Sequence, residues 1–167
     1  MTGLQSVAEL TFDEVFRQRE AQVLRTAYRI LGNWADAEDV AQETFVRLHR
    51  HGLRFANDAA AGAWLYRVVV NLCMDRVRSA KPEGEMPELH AAEDSAESAA
   101  LLEERKRRLM AALATLPAKE RAAVVLREIE GLSTAEVASI LGSSEGTVRS
   151  QISKALDHLR AILGEEE

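Results

Sequence analysis

Six polar side chains near the C-terminus have the residue types and spacing needed to contact DNA. Arginine can hydrogen-bond a guanine edge or a phosphate, hydroxyl and amide groups offer neutral hydrogen bonds, and the amides at a helix N-terminus suit a phosphate. The six lie in the segment EGTVRSQISK and are Thr147, Arg149, Ser150, Gln151, Ser153 and Lys154. The chemistry they indicate is non-covalent recognition of a nucleic acid.

Two short helices joined by a tight turn must position these side chains. Ser133 and Glu136 have the spacing of a capping box, which predicts that a helix begins there. Ala138 allows close helix approach, Gly142 suits the left-handed turn, and Val148 fills the space between the helices. The pattern predicts a helix-turn-helix with Val148, Ile152, Ala155, Leu156 and Leu159 pointing inward. A plain helical hairpin with a solvated polar face is the alternative.

Composition argues against an enzyme, a metal site or a membrane protein. The single Cys73 excludes an intramolecular disulfide, and no His/Cys cluster has zinc-ligand spacing. No catalytic triad order, paired acids or glycine-rich phosphate loop is present, so we expect no catalytic residues and no cofactor. No leader or membrane-spanning run is visible, which predicts a cytoplasmic protein. The histidines also lack ligand spacing; they are His49, His51, His90 and His158.

The net charge of −6 is unevenly distributed along the 167 residues. Residues 1–80 are neutral, residues 81–104 carry −7, residues 105–164 carry +4, and residues 165–167 carry −3. A mildly basic C-terminal segment therefore lies between two acidic ones, and net acidity does not argue against DNA binding.

The acidic segment also divides the chain. SAKPEGEMPELHAAEDSAES contains two of the three prolines and no sustained apolar periodicity, which predicts a flexible linker. We expect an all-α protein with two small helical domains, at 1–80 and 101–167, joined by a linker at 81–100.

The N-terminal half is predicted to contain three helices. Thr11 and Glu14 form a capping box for the first, which should end at Gly32-Asn33. Asp36 is expected to cap the second helix and Gly52 to close it, followed by a loop over about 51–62. The third helix should bury an apolar stripe in which only Arg76 is polar; its members are Leu65, Val68, Val69, Leu72, Arg76 and Val77.

The C-terminal half should begin with two further helices. The first carries a predicted apolar stripe of Leu102, Leu109, Leu113 and Leu116. Pro117 restarts the chain, and a second helix should then run to Gly131 with another stripe. That stripe consists of Ala122, Val125, Leu126 and Ile129.

Three segments together resemble the extracytoplasmic-function group of bacterial RNA polymerase sigma factors. They are DAEDVAQETFVRLHRH at 36–51, WLYRVVVNLCMDRVR at 64–78, and LPAKERAAVVLREIEGLSTAEVASILGSSEGTVRSQISKALDHLR at 116–160. Their order and the linker between them make the signal specific. The resemblance implies a transcription initiation factor that binds core RNA polymerase and promoter DNA and that an anti-sigma factor regulates.

The resemblance also implies where the polymerase binds. In the family the acidic second helix docks on the clamp helices of the largest polymerase subunit. In this chain the corresponding residues outside the apolar stripe are Asp36, Glu38, Asp39, Gln42 and Glu43. An ordinary solvated charged surface is the alternative reading of the same residues.

Promoter opening in the family involves capture of the melted −10 strand and a flipped base. The implied contacts here are Arg54, Phe55, Asn57, Trp64, Tyr66, Arg67, Asn71 and Arg78. Core packing remains an alternative for Phe55 and Trp64, and a local pair is an alternative for Asn71 and Asp75. The helix-turn-helix residues would then contact the −35 element.

The recognition helix departs from the family in one respect. Its second half has Gln151, Ser153, Asp157 and His158 with only Lys154 between them, where relatives usually carry several basic residues. Phosphate attraction should therefore be weaker. Two alternatives stay open: a sigma-like decoy that sequesters an anti-sigma factor, and a free-standing helix-turn-helix repressor, which leaves the N-terminal half unexplained.

Overall fold

Seven α-helices account for most of the computed structural model, which describes residues 9–52, 54–79 and 97–164. The N-terminal helices are α1 Phe12–Leu31, α2 Trp34–His51 and α3 Asp58–Ser79. The C-terminal helices are α4 Glu97–Ala114, α5 Ala118–Val124, α6 Thr134–Leu141 and α7 Glu145–Leu163, and α5 continues as a π-helical turn over Val125–Ile129. The all-α fold class is confirmed. None of the helices in these ranges is long and apolar enough to cross a bilayer.

Local signals set most helix ends where the sequence predicts them. Thr11 and Glu14 form the capping box of α1, with the Thr11 amide 3.0 Å from the Glu14 carboxylate. Ser133 accepts the Glu136 amide at the start of α6. Gly142 ends α6 with φ of 63°, in the left-handed region that glycine adopts without strain.

Two predicted boundaries in the N-terminal half are wrong. The cap of α2 is Asn33, whose side chain accepts the Asp36 amide at 3.0 Å, so Asp36 lies inside the first turn. The loop expected over 51–62 ends at Asn57, because the Asn57 side chain accepts the Ala60 amide at 2.8 Å and α3 begins at Asp58. Both caps are asparagines, a residue strongly preferred at this position.

The buried face of α3 differs from the predicted stripe. Leu65 and Val69 are buried as expected, but Val77 is exposed, while Tyr66, Val70 and Cys73 are buried. Helices α5 and α6 of the C-terminal half pack against α3 in addition to α1 and α2. A single apolar stripe therefore underestimates how much of the α3 surface is buried.

The stripe of α4 is buried only near its C-terminal end. Leu113 and Leu116 are buried, whereas Leu102 and Leu109 are 52% and 37% exposed. Residues 97–100 of the predicted linker belong to α4, and residues 81–96 lie outside the described residues. The two halves nevertheless pack directly, with α1 against α4 and α5 and with α3 against α5 and α6.

Candidate functional site

Helices α6 and α7 form the helix-turn-helix that the sequence predicts. Val148 and Ala155 are fully buried and Ala138 is nearly so, which fixes the two helices against each other. The N-cap of α7 is Ser144, which accepts the Thr147 amide at 3.1 Å and donates to the Thr147 hydroxyl at 2.9 Å. The N-terminal turn of α7 is therefore capped by a side chain.

Five of the six predicted DNA-contacting residues lie on the exposed side of α7. They are Thr147, Arg149, Ser150, Ser153 and Lys154. Gln151 is the exception: it is half-buried, and its side-chain Oε1 is buried without a hydrogen-bond partner among the described residues. Gln151, which was expected on an accessible face, is therefore only partly accessible, because its side-chain oxygen turns toward the protein.

A basic depression of about 280 Å³ lies beside the exposed side of α7. Arg149 and Arg160 line it from α7, and Arg127 lines it, next to the single acidic residue Glu128, from the π-helical turn after α5. Arg160 pairs with Asp157 at 3.3 Å, whereas the described residues offer no ion-pair partner to Arg127 or Arg149. Arg127 is not among the residues predicted to contact DNA, although the positive charge of residues 105–164 indicates a basic surface in this part of the chain.

The acidic face of α2 is partly neutralised by other side chains. Arg76 reaches from α3 to Asp36 at 2.8 Å and to Asp39 at 3.3 Å, which explains the one polar residue in the predicted α3 stripe. Glu43 pairs with Arg47 at 3.1 Å along α2. Glu38 and Gln42 are the exposed members of the set without a partner in the described part of the chain.

A groove of about 770 Å³ runs between α1 and α2, and Glu38 and Gln42 form part of its wall. The apolar lining comes from both helices and consists of Phe12, Phe16, Leu24, Ala41, Phe45 and Val46. Phe16 and Phe45 make an edge-to-face contact with ring centroids 4.9 Å apart. This groove is not among the sequence-based predictions, although Phe12 and Phe16 are spaced as neighbours on one helix face.

The predicted strand-capture residues in the loop before α3 differ in how exposed they are. Arg54 and Asn57 are exposed. Phe55 is only 9% exposed, its backbone bridges to Leu10 at 2.9 Å, and its ring lies 6.1 Å from that of half-buried Trp64. Burial of Phe55 favours the core-packing alternative over base stacking, because its ring packs beneath the loop.

Helix α3 presents its predicted strand-capture residues in two environments. Asn71 and Arg78 are exposed, and Arg78 pairs with Asp75, so Asp75 does not form the alternative pair with Asn71. Tyr66 is 7% exposed, and its hydroxyl donates to Glu130 at 2.9 Å. Burial, followed by the Glu130 carboxylate, raises the pKa of Tyr66.

Arg67 also faces the C-terminal half. Its guanidinium donates to the Ser139 hydroxyl of α6 at 3.2 Å while the side chain remains largely exposed. Tyr66 and Arg67, which were expected to lie on an open face, are therefore contacted by the other half of the protein. The cause is tertiary packing that no local pattern in α3 reports.

Both halves match known families over most of their length. Residues 15–83 match the family of sigma-70 region 2, and residues 106–159 match the family of sigma-70 region 4. The first match begins in the first turn of α1 and covers α2 and α3, and the second begins midway through α4 and includes α5, α6 and most of α7.

Curated relatives share most of the chain. The sequence is 36% identical over 155 residues to the ECF RNA polymerase sigma factor SigM of Mycobacterium tuberculosis, a match that covers 92% of this chain and 77% of the relative. It is 31% identical over 155 residues to the ECF RNA polymerase sigma factor SigW of Bacillus subtilis, with 85% of this chain and 83% of the relative covered.

Solved structures show the same fold. The sigma factor RpoE of Bartonella quintana, solved in complex with the anti-sigma factor NepR, superposes with a TM-score of 0.73 at 22% identity and covers 93% of this chain and 98% of its own. The extracytoplasmic function sigma factor SigJ of M. tuberculosis superposes with a TM-score of 0.64 at 30% identity and covers 86% of this chain and 52% of its own.

Proposed function

Because the chain belongs to the extracytoplasmic-function group of RNA polymerase sigma factors, we propose that its N-terminal half binds core polymerase and the melted −10 strand while α7 reads the −35 element. The protein is a transcription initiation factor that directs RNA polymerase to promoters. The observation that carries the division of roles is the exposed polar side of α7, where Arg149 and Lys154 have no carboxylate partner among the described residues.

The polymerase-binding surface is the groove between α1 and α2 together with its acidic wall. The groove offers apolar surface that a partner can bury. Glu38 and Gln42 add unpaired polar groups beside it. This combination of an apolar centre and a polar rim is what stable protein interfaces use. Asp36 and Asp39 contribute less to polymerase contact than the sequence suggests, because Arg76 already pairs with both carboxylates.

Strand capture is assigned to the exposed residues around the start and outer face of α3. Arg54 and Arg78 offer positive charge to the phosphates, and Asn57 and Asn71 offer amides to base edges. Half-buried Trp64 supplies a ring at the edge of this surface. Arg67 and Tyr66 join the set when the C-terminal half no longer contacts them.

An anti-sigma protein is the proposed regulatory partner, in keeping with the family. The groove between α1 and α2 is an exposed apolar surface in the described part of the chain, and a competitor that fills it would exclude the polymerase. The protein would act in the cytoplasm, where the polymerase works.

The test is reconstitution with core polymerase. The double substitution Glu38→Arg with Gln42→Arg should lower affinity for core at least tenfold and reduce run-off transcription in parallel, because it reverses charge at the groove wall. The control is Asp13→Arg with Gln18→Arg, which makes the same charge change at exposed positions of α1 outside the groove lining. Equal affinity of both doubles and the unchanged protein would reject this docking surface.

A further inference from the structure

A cavity of about 300 Å³ lies between α1, the start of α2 and α4, and it shares no lining residue with the α1–α2 groove or the basic depression beside α7. None of the residues predicted to bind polymerase or DNA lines it. Its volume is at the lower end of the range typical of small-ligand pockets, so it suits one small molecule and not a stretch of polymer. The lining residues are Arg25, Tyr28, Arg29, Trp34, Glu103, Lys106, Arg107, Leu109 and Met110.

One wall of this cavity is aromatic and apolar. The rings of Tyr28 and Trp34 stack with centroids 3.9 Å apart and an angle of 7° between their planes, and both side chains are half-buried. The stack holds the two rings in one orientation. Leu109 and the largely buried Met110 extend the apolar surface from α4. Such a wall favours a ligand with a planar ring, since flat rings pack against aromatic and apolar side chains.

The rest of the lining is strongly basic. Four cations and one carboxylate, Glu103, line the cavity, a surplus of three positive charges in a chain whose net charge is −6. A concave surface lined by one sign of charge attracts a ligand of the opposite sign. Two of the cations come from α1 and two from α4, and they are Arg25, Arg29, Lys106 and Arg107. The cavity therefore favours an anionic ligand.

Most of these cations are available to such a ligand. Arg25 is exposed and has no ion-pair partner among the described residues. Lys106 and Arg107 pair only along α4, with Glu103 at 3.2 Å and with Glu104 at 3.1 Å, and all four side chains are well exposed. Exposed pairs of this kind contribute little to stability, so both cations can turn to a phosphate at low cost.

We propose that this cavity binds a small nucleotide, with the base against the wall formed by Tyr28 and Trp34 and the phosphates among the cations of α1 and α4. The guanidinium groups match phosphate oxygens in pairs, and Lys106 adds a compact charge. The proposal does not rest on the polymerase-binding or promoter-binding roles, because the cavity is separate from both surfaces. A ligand that contacts α1 and α4 together stabilises the folded chain in proportion to the nucleotide concentration.

Calorimetric titration of the full-length chain tests the ligand class. The probes are ADP, adenosine and inorganic pyrophosphate, at physiological ionic strength and without divalent cations. ADP should bind at one site per chain and about tenfold or more tightly than either of the other probes, because only ADP uses both the aromatic wall and the cations. Absence of ADP binding, or pyrophosphate that binds as tightly as ADP, would overturn the nucleotide site.

A matched pair of double variants tests the place of binding. Arg25→Gln with Lys106→Gln removes one cation from each side of the cavity and should weaken ADP binding about tenfold or more. Arg17→Gln with Arg105→Gln makes the same charge change at exposed positions of the same two helices outside the lining, and should change affinity by less than about twofold. Equal weakening by both doubles, with the helical circular-dichroism signal kept, would show only general charge attraction and would overturn the site.

The two tryptophans of the chain give an independent readout. In Trp64→Phe the remaining Trp34 lines the cavity, and ADP should quench its fluorescence with the affinity found by calorimetry. In Trp34→Phe, which keeps a ring beside Tyr28, the remaining Trp64 lies outside the lining and should not respond. No quenching of Trp34, or equal quenching of Trp64, would overturn the assignment.

A single-stranded oligodeoxyadenylate distinguishes a nucleotide site from a nucleic-acid site. It should bind the cavity more weakly than ADP, because the cavity has room for one nucleotide. An oligonucleotide that displaces ADP, binds more tightly than ADP and is weakened by Arg25→Gln with Lys106→Gln would assign the cavity to strand capture and overturn the proposal.

Discussion

Arg121 and Ile30 join the two halves through a 2.6 Å bond from a guanidinium nitrogen to a backbone carbonyl oxygen. The same guanidinium also donates to the carbonyls of Leu113, Ala114 and Leu116 at the end of α4. Helix C-termini leave carbonyl groups without intrahelical partners, and a cation is well suited to satisfy them. Arg121 therefore caps the C-terminal ends of both α1 and α4. Burial of its guanidinium lowers the pKa of Arg121.

The first prediction follows from these four contacts. Arg121→Gln should lower the free energy of unfolding by about 2–4 kcal/mol, because part-buried carbonyls lose a charged donor. Urea unfolding followed by circular dichroism measures the loss. Arg105→Gln, on the exposed surface of α4 without a partner among the described residues, is the control and should change stability by less than about 0.5 kcal/mol. Equal stability of the two variants would show that Arg121 has no such role.

The second prediction concerns Cys73, which is fully buried in α3. Burial raises the pKa of its thiol to about 12, although Arg76 opposes the shift, whereas an unfolded thiol has a pKa near 8.5. The folded state therefore favours the protonated thiol. Its contribution to stability is complete below about pH 8.5 and falls by up to about 1.4 kcal/mol per pH unit as the pH rises toward 12.

Cys73→Ala isolates this effect. Alanine has no proton to release, so the stability difference between the parent protein and Cys73→Ala should shrink steadily as urea unfolding is repeated from pH 8 to pH 11. Other groups titrate in both proteins and cancel in the difference. A difference that is independent of pH would mean that the thiol titrates in the folded protein near its ordinary value.

Local signals explain which parts of the fold the sequence predicts. The capping pair Thr11 and Glu14, the turn glycine Gly142 and the wedge Val148 act within a few residues, and each is confirmed where it was expected. The helix-turn-helix and its exposed arginine Arg149 depend on such signals alone. The resemblance to sigma factors, which rests on three such segments, is confirmed by the relatives.

The errors concern groups whose surroundings come from distant parts of the chain. Tyr66 is buried by Glu130, 64 positions away, and Phe55 is bridged to Leu10 beneath the loop. Gln151 turns inward although its neighbours are exposed. Helical periodicity reports which face of a helix is apolar, but it does not report that a second half of the protein covers an additional polar face.

The third prediction tests strand capture at Asn57. Because its side chain caps α3 through the Ala60 amide, Asn57→Ala would confuse lost stability with lost DNA contact. Asn57→Ser keeps a capping oxygen but removes the amide. It should reduce run-off transcription from a closed duplex promoter about 5–30-fold, equivalent to about 1–2 kcal/mol, and have a much smaller effect on a template with a preopened bubble.

The chain supplies a matched control for that substitution. Asn33 caps α2 as Asn57 caps α3, so Asn33→Ser makes the same chemical change away from the strand-capture face. It should leave the ratio of duplex to bubble transcription unchanged. Equal losses on both templates for Asn57→Ser would indicate that Asn57 has only its capping role.

The last prediction distinguishes a promoter-reading helix from a decoy, and it is measured on the holoenzyme because α7 carries few cations. Arg149→Ala should weaken binding by about 1–3 kcal/mol at one promoter position and relax base preference there, since arginine reads base edges. Lys154→Ala should instead weaken binding to all sequences alike and reduce the slope of log affinity against log salt by about one, because one phosphate contact is lost.

Arg127→Ala, on the adjoining basic depression, should resemble Lys154→Ala. If none of the three changes promoter choice or salt dependence, while Arg149→Ala and Lys154→Ala weaken capture of an anti-sigma protein, then α7 recognises protein and the chain acts as a decoy.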